Sequence, residues 1–450
     1  MTEKDPSFGL DSKDGKSAMP VTATASAVAA AGPSAPPLSQ MPLTTELPPA
    51  YSELDPNLPA HAPPPPPPAF APGSQTDLKI DQKSSSELVG TKGFDFERPI
   101  FIHTTGVSKT DLLVEPDPNP DNQGTIFVSA EVSSMQSKLE ERAEFQVHLN
   151  EYNEYDFHVN VGWTFWNMLP AACRILVRVP STIVRAHPGI RADIANGRFD
   201  MAALSNIGFT RINLKTTNSS ASVSNISGRN IQLATTNGSL HLSNIKSSEV
   251  INVRMTNSRA ELEQVVAPTL HVATSNREII LTDVTADSLR AESTNSSIRC
   301  RNIRAGGVDL KTTNMSITTD EMRADSLNIS TTNARVEGTW EVKRALDVHT
   351  TNSRISGTIQ LVDPREPAQI RFSTSNSKIE AFLPAESFRG MIDARTSNDK
   401  VKVELVNRQE QPLELTHIVS DKSYKRVMAG SGTHGFSAKT SNSKIEVKLV

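Results

Sequence analysis

The sequence predicts an all-β protein, a single parallel β-solenoid of 19-residue rungs with a β-rich N-terminal cap and a disordered Pro-rich N-terminal tail. Three observations carry this expectation. Asn recurs after a Thr- and Ser-rich dipeptide at Asn218, Asn237, Asn257, Asn276, Asn295, Asn314, Asn333 and Asn352, spaced 19, 20, 19, 19, 19, 19 and 19 residues apart, and more loosely at Asn376, Asn398 and Asn442. A ruler this regular means one supersecondary unit stacked on copies of itself. Within each unit apolar residues alternate with polar ones. They stand six and four positions before the Asn (Ile212 and Leu214, Leu346 and Val348), then three and five after it (Leu240 and Leu242, Ile279 and Leu281), often with another at plus eight (Ile226, Ile245). That is the period of strands with one buried face. Finally, only eight or nine residues separate the strand pairs and they lack a 3.6-residue pattern, so the unit reads as strand, corner, strand, turn.

Residues 1–86 belong to another physical class. They hold 17 of the 29 prolines, including the run Pro63 to Pro68, among Ser, Ala and Thr. So little apolar surface cannot offset the entropy of ordering, and the segment is expected to stay disordered. Within it Pro48, Pro49 and Tyr51 form a PPxY sequence across residues 47–51, the kind of polyproline II ligand that WW domains grip, so a WW-domain protein is an expected partner.

Residues 87–185 read as the cap. Strand-like stretches at Thr125 to Val132, Phe145 to Leu149, Tyr155 to Val161 and Ile175 to Val179 lack the ruler, and Trp163, Phe165, Trp166, Met168 and Leu169 suggest a plug over the first rung. Residues 186–450 read as the solenoid, opening at Asn196 in Ala-Asn-Gly. Twelve corners at one strand spacing each predict a length of about 50–60 Å. The last rung ends the chain with little to cover it, which points to self-association at the solenoid ends.

Each Asn is expected to turn the chain, because Asn enters the left-handed region at low cost, and to bond its carboxamide to the next one up the stack. The corner ladder is Asn218, Asn237, Asn257, Asn276, Asn295, Asn314, Asn333, Asn352, Asn376, Asn398 and Asn442. The residue before each Asn is Thr or Ser, which makes a hydroxyl column. Three positions before each Asn the residues vary (Lys215, Ala234, Arg254, Ala273, Glu292), which argues against a flat ice-binding face. Two positions after the Asn, Arg335, Arg354, Lys378, Lys400 and Lys444 form a basic row suited to an anionic glycan or headgroup, with Glu337, Glu380 and Glu446 placed to answer part of its charge.

No catalytic or cofactor-binding residue and no metal-ligand spacing emerges from the pattern. The acids of successive rungs scatter (Glu261, Glu278, Glu292, Asp309), His148, His158, His241, His271 and His349 stand at unlike positions, and no phosphate-cradling Gly-rich loop is found. A non-enzymatic protein is expected. A net charge of −4 and pI near 6.2 argue against nucleic acid as a partner. Cys173 and Cys300 make no disulfide framework. No segment has the roughly 20 apolar residues of a membrane span, and the N-terminus lacks a signal-like apolar region, so a cytoplasmic location is expected, with the cell surface by an unrecognised route as the alternative. Six Asn-x-Ser sequons (Asn218, Asn225, Asn237, Asn295, Asn314, Asn328) then arise from the repeat itself.

The apolar-x-apolar-x-Thr-Thr-Asn-Ser frame (Ile212 to Asn218, Leu346 to Ile355), the strand ending in Val179-Pro180, and Gly430-Ser431-Gly432 before the last rung resemble the adhesin-like β-solenoid repeat family, a domain of unknown function found in bacteria with fungal relatives. The resemblance spans roughly residues 95–450. Ser rather than Gly after most of the Asn residues resembles the fungal branch. The resemblance implies the solenoid fold and supplies no catalytic residue. The function expected is a β-solenoid scaffold with a WW-binding tail. The alternatives are an adhesin-like protein binding glycans or another anionic ligand and, more remotely, a β-helix carbohydrate-active enzyme.

Overall fold

A computed structural model describes residues 78–122, 124–135, 138–162, 171–181, 186–201, 207–406 and 413–450. Pro48, Pro49, Tyr51 and the aromatic stretch 163–169 lie outside them. The strands are β1 (Lys79–Ser84), β2 (Glu87–Asp95), β3 (Ile100–Thr105), β4 (Lys109–Pro116), β5 (Thr125–Ser134), β6 (Ala143–Leu149), β7 (Tyr155–Val161), β8 (Ala171–Val179), β9 (His187–Ile194), β10 (Gly197–Asp200) and β11 (Gly208–Thr216). Long rung strands follow: β12 (Ala221–Thr235), β13 (Leu240–Met255), β14 (Ala260–Thr274), β15 (Ile279–Ser293), β16 (Ile298–Lys311), β17 (Ile317–Thr331) and β18 (Val336–Thr350). The C-terminal set is β19 (Ile355–Leu361), β20 (Gln369–Ser373), β21 (Ile379–Leu383), β22 (Gly390–Arg395), β23 (Val401–Leu405), β24 (Leu415–Ser420), β25 (Tyr424–Ala429), β26 (His434–Lys439) and β27 (Ile445–Leu449).

From β11 to β18 each strand pairs in parallel with the next, and the register sets like upon like. Ile231 faces Ile251, which faces Leu270, then Leu289, Val308, Leu327 and Leu346. These positions are at most 4% exposed, so each buried Ile or Leu contributes roughly 1.5–3 kcal/mol against solvent. The two predicted strands of a rung are joined into one long strand with a bend. Along β13 the inward residues are Leu240 and Leu242, then Ile245 and Ser247, then Ile251, Val253 and Met255, so three short segments per rung face the core.

The bend corrects the expected backbone role of the Asn corner. Left-handed φ values of 49–55° occur at Asn225, Asn244, Gln264, Asp283, Asn302 and Glu321, seven positions after the ladder Asn; of the Asn corners, only Asn196 (φ 54°) adopts this conformation. The ladder Asn turns the chain without entering the left-handed region. The inward set shifts phase at the plus-seven residue, between plus five and plus eight, and a single left-handed residue achieves that shift.

Both ends depart from the simple stack. At the C-terminus β26 lies between β20 and β22, and β27 between β21 and β23, all in parallel. The final unit is therefore an interior rung rather than the end rung expected. The end rung is β22–β23, whose β22 is covered by the antiparallel hairpin β24–β25. The N-terminus repeats the device: β3 lies between β7 and β9, and β4 between β8 and β10. Parallel rungs thus begin before Asn196, in residues read from sequence as cap alone. Strands β5, β2 and β1 continue one side in antiparallel fashion and β6 continues the other. Strand β1 falls inside the stretch read as tail. All six of its residues are exposed, so it carries no alternation for the sequence pattern to detect and is held by pairing to β2.

Where the ruler loosens, aromatic side chains fill the core. Trp340 is fully buried, its Nε1 donates to Thr319 Oγ1 at 2.7 Å, and its ring meets Phe372, which meets Phe436, each at 5.6 Å between centroids. Gly357 makes room, since a Cβ there would stand 1.9 Å from the Trp340 ring.

Candidate functional site

The corner column has three layers. At its tip the carboxamides form a continuous chain: Asn218 Nδ2 donates to Asn196 Oδ1 at 2.8 Å, and the pattern runs through Asn237, Asn257, Asn276, Asn295, Asn314, Asn333, Asn352 and Asn376 at 2.7–2.9 Å. It then follows the interleaved order, from Asn442 to Asn376 at 2.7 Å and Asn398 to Asn442 at 2.6 Å. Beside it stands the Thr/Ser column, Thr217 through Ser441, exposed or half-exposed. Beneath it the first residue of each triplet points inward. Thr274, Thr312, Thr350, Thr374 and Thr440 are at most 5% exposed and donate to the carbonyls of Ser258, Ser296, Ala334, Ser353 and Ser377 at 3.0–3.2 Å. Each of those carbonyls follows a ladder Asn, so the hydroxyl satisfies a backbone acceptor that the turn would otherwise strand. Sequence reading missed this layer, although minus two continues the inward alternation of minus six and minus four. Met255 interrupts it, and Thr235 Oγ1 and Ser258 Oγ nearby are buried without a hydrogen-bond partner.

The same geometry bears on the sequons. The carboxamide nitrogens of Asn218, Asn237, Asn295 and Asn314 are donors in the ladder, and Asn328 Nδ2 donates to Asp309 at 2.9 Å. At these five sequons the nitrogen that would carry a glycan is already engaged in the folded protein.

The basic row lies on the far side of the corner. Arg335 pairs with Glu337 at 3.6 Å; Arg354, Lys378 and Lys448 converge on Glu380; Lys378 and Lys444 share Glu446 at 2.6 and 3.0 Å. Lys402 pairs with Glu404, and Lys400 makes no ion pair among the described residues. Hydrogen bonds from Lys378 and Lys444 hold Glu446 down to about 2. Burial pushes Glu380 upward, yet Lys448, Lys378 and Arg354 together keep it below the usual carboxylate range. Interleaving brings Lys378 and Glu446 together although they are 68 positions apart in the chain.

A second polar cluster covers the outer side of β6, β7, β3 and β9. The His103 and His158 rings stack at 3.8 Å, His103 Nδ1 stands 3.1 Å from Asp156 Oδ1 without hydrogen-bond alignment, and His148 Nε2 is 3.6 Å from Asp156 Oδ2. Burial lowers both His103 and His158. His241, His271 and His349 stay apart on separate rungs. Among the described residues no group of three or more His, Cys, Asp or Glu is placed to hold a metal ion. Cys173 and Cys300 are buried and their thiols pushed up to about 12, which leaves neither as a thiolate near neutrality. No helix of the described residues is long and apolar enough to cross a membrane.

No curated protein matches the chain. Among solved structures, the crystal structure of a candidate cell adhesion protein from Clostridium sporogenes aligns over 80% of this chain and 99% of its own, at 8% identity and a TM-score of 0.15. Residues 107–283, which run from just after β3 into β15, match the family described as Toastrack DUF4097, a domain family of unknown function.

Proposed function

We propose that this protein is a non-enzymatic, adhesin-like binding scaffold that holds an anionic partner against the corner of its C-terminal rungs. The observation that carries this is incomplete neutralisation. Arg335, Arg354, Lys378, Lys400, Lys402, Lys444 and Lys448 share five carboxylates, Glu337, Glu380, Asp399, Glu404 and Glu446, so that Glu380 serves three cations and Lys400 has none. The cations sit on a rigid stack with one strand every 4.7–4.9 Å or so, and a ligand meets them without ordering them first. The test is binding of the full chain to immobilised polyanions, comparing parent protein with Arg335→Glu/Lys400→Glu, a pair that leaves the Glu380 and Glu446 bridges intact. Weaker binding with a shallower salt dependence is expected, since two ionic contacts are lost. Binding unchanged by the double reversal would remove the row from the site.

A second reading rests on Pro48, Pro49 and Tyr51: the Pro-rich N-terminal segment recruits a WW-domain protein, so that a cytoplasmic scaffold joins two partners. Capture of a WW domain by the parent and by Tyr51→Ala alike would dismiss it.

A further inference from the structure

The interleaved C-terminal rungs assemble a charge cluster that chain order hides. Arg371 on β20, Lys439 on β26 and Arg395 on β22 stand on three consecutive strands, and the strand between the two arginines is the last of the three in sequence. Lys439 lies directly across from Arg395 on one side and Ser373 on the other, and Arg371 lies across from Ser437. All three cations are exposed. None forms an ion pair among the described residues. Asp393, two residues before Arg395 on β22, is held by Arg426 at 3.0 Å and by the Tyr424 hydroxyl at 3.2 Å, and Asp347, across from Arg371 on β18, bridges to no cation. Like charges facing each other across a sheet destabilise it unless something answers them. The corner row has Glu380 and Glu446 for that purpose; here Asp347 stands across from Arg371, but no carboxylate stands directly across from Lys439 or Arg395.

We propose that this face binds an acidic polysaccharide, a reading that rests on the proposed function as holder of an anionic partner. One cation per strand suits a polymer that crosses the strands and repeats its carboxylate or sulfate groups. Hydroxyl-recognising groups flank the cations: Ser437 is exposed, and Ser373 Oγ lies 2.8 Å from His349 Nδ1. A nucleic acid would want an open aromatic face on which to stack bases, and the Tyr424 ring is covered by the Arg395 guanidinium at 4.5 Å.

The experiment measures binding of the full chain to polygalacturonate and to dextran sulfate, with neutral dextran, oligo-dT and phosphatidylserine vesicles alongside. The proteins compared are the parent, Lys439→Glu/Arg395→Glu, the neutral Lys439→Gln/Arg395→Gln, and the corner-row pair Arg335→Glu/Lys400→Glu. The expected result is salt-sensitive binding to an acidic polysaccharide and to neither DNA nor vesicles, weakened about tenfold or more by the Lys439/Arg395 reversal and less by the neutral pair. Should the reversal fold as the parent does and bind within about twofold of it, this face is overturned. If the corner-row pair still weakens binding in that case, the broader reading stands without it. A parent that ignores every anionic probe overturns both, and one that prefers oligo-dT or vesicles overturns the polysaccharide assignment. If the reversal does not fold, the neutral pair decides: unchanged binding overturns the proposal.

Discussion

Replacing Asn295 with Ala removes one link from the middle of the carboxamide chain. Asn295 Nδ2 donates to Asn276 Oδ1 at 2.9 Å, and its Oδ1 accepts from Asn314 Nδ2 at 2.7 Å, so the substitution deletes two hydrogen bonds and leaves one donor and one acceptor without their partners. A neutral bond is worth about 0.5–1.5 kcal/mol net. All three carboxamides are exposed, so water can replace what is lost, which places the expected cost at about 1–2 kcal/mol rather than at the penalty of a buried orphan. The assay is urea unfolding at constant slope, read as a shift of the midpoint. The control is Thr294→Ala, at the same corner, whose exposed hydroxyl makes no hydrogen bond to the described protein and whose loss should cost within about 0.5 kcal/mol. A midpoint for Asn295→Ala no lower than that of Thr294→Ala would refute the ladder as a stabilising device and leave the Asn recurrence to its turn-forming chemistry alone.

His187 is fully buried between Phe96 and Phe209, and burial lowers it from 6.5 to about 4. Its folded value lies below its unfolded one, so its contribution is fully present above about pH 6.5 and is lost as pH falls toward 4. At about 1.36 kcal/mol per pH unit this amounts to roughly 3 kcal/mol, and a flatter pH profile of unfolding in His187→Gln than in the parent would bear this out. Gly357→Ala drives a methyl group into the Trp340 ring; a loss of about 1–3 kcal/mol with an altered Trp340 emission is expected, and an unperturbed thermal midpoint would show that the core yields there. Thr312→Val keeps shape but strands the Ser296 carbonyl 3.0 Å away, at a cost of about 1–3 kcal/mol measured by the same urea titration. Because the carboxamide nitrogens of Asn218, Asn237, Asn295 and Asn314 are ladder donors and that of Asn328 is bound to Asp309, treating natively expressed Asn225→Gln protein with an N-glycan-removing enzyme should leave its gel mobility unchanged; a downward shift would mean that glycans are attached before the ladder closes.

Much of the rung was legible because its determinants are local and repeat. The minus-six, minus-four and plus-three columns are buried, and alternation alone identified them. The charges of the basic row and the carboxylates that answer part of them could be located, but the pairing could not, because Glu446 on β27 reaches Lys378 beside β21 across strands whose adjacency is not sequential. Left-handed corners at Asn225 and Asn302 escaped notice because Gln264 and Glu321 share their column, and neither residue signals positive φ. Strand β1 escaped for the opposite reason, a total lack of burial.

The amino-acid sequence by itself determined that the chain stacks, what period it stacks with, and which residues line the core, since side-chain alternation and a 19-residue repeat are properties of one rung and its copy. The order of rungs at the two ends was decided only in three dimensions. Every rung offers the same apolar columns to its neighbours, so local pattern is equally satisfied whether β26 follows β22 or slips between β20 and β22. The choice rests on non-local contacts: on the Phe372–Phe436 ring pair and on a Lys378–Glu446 bridge that forms only in the interleaved arrangement.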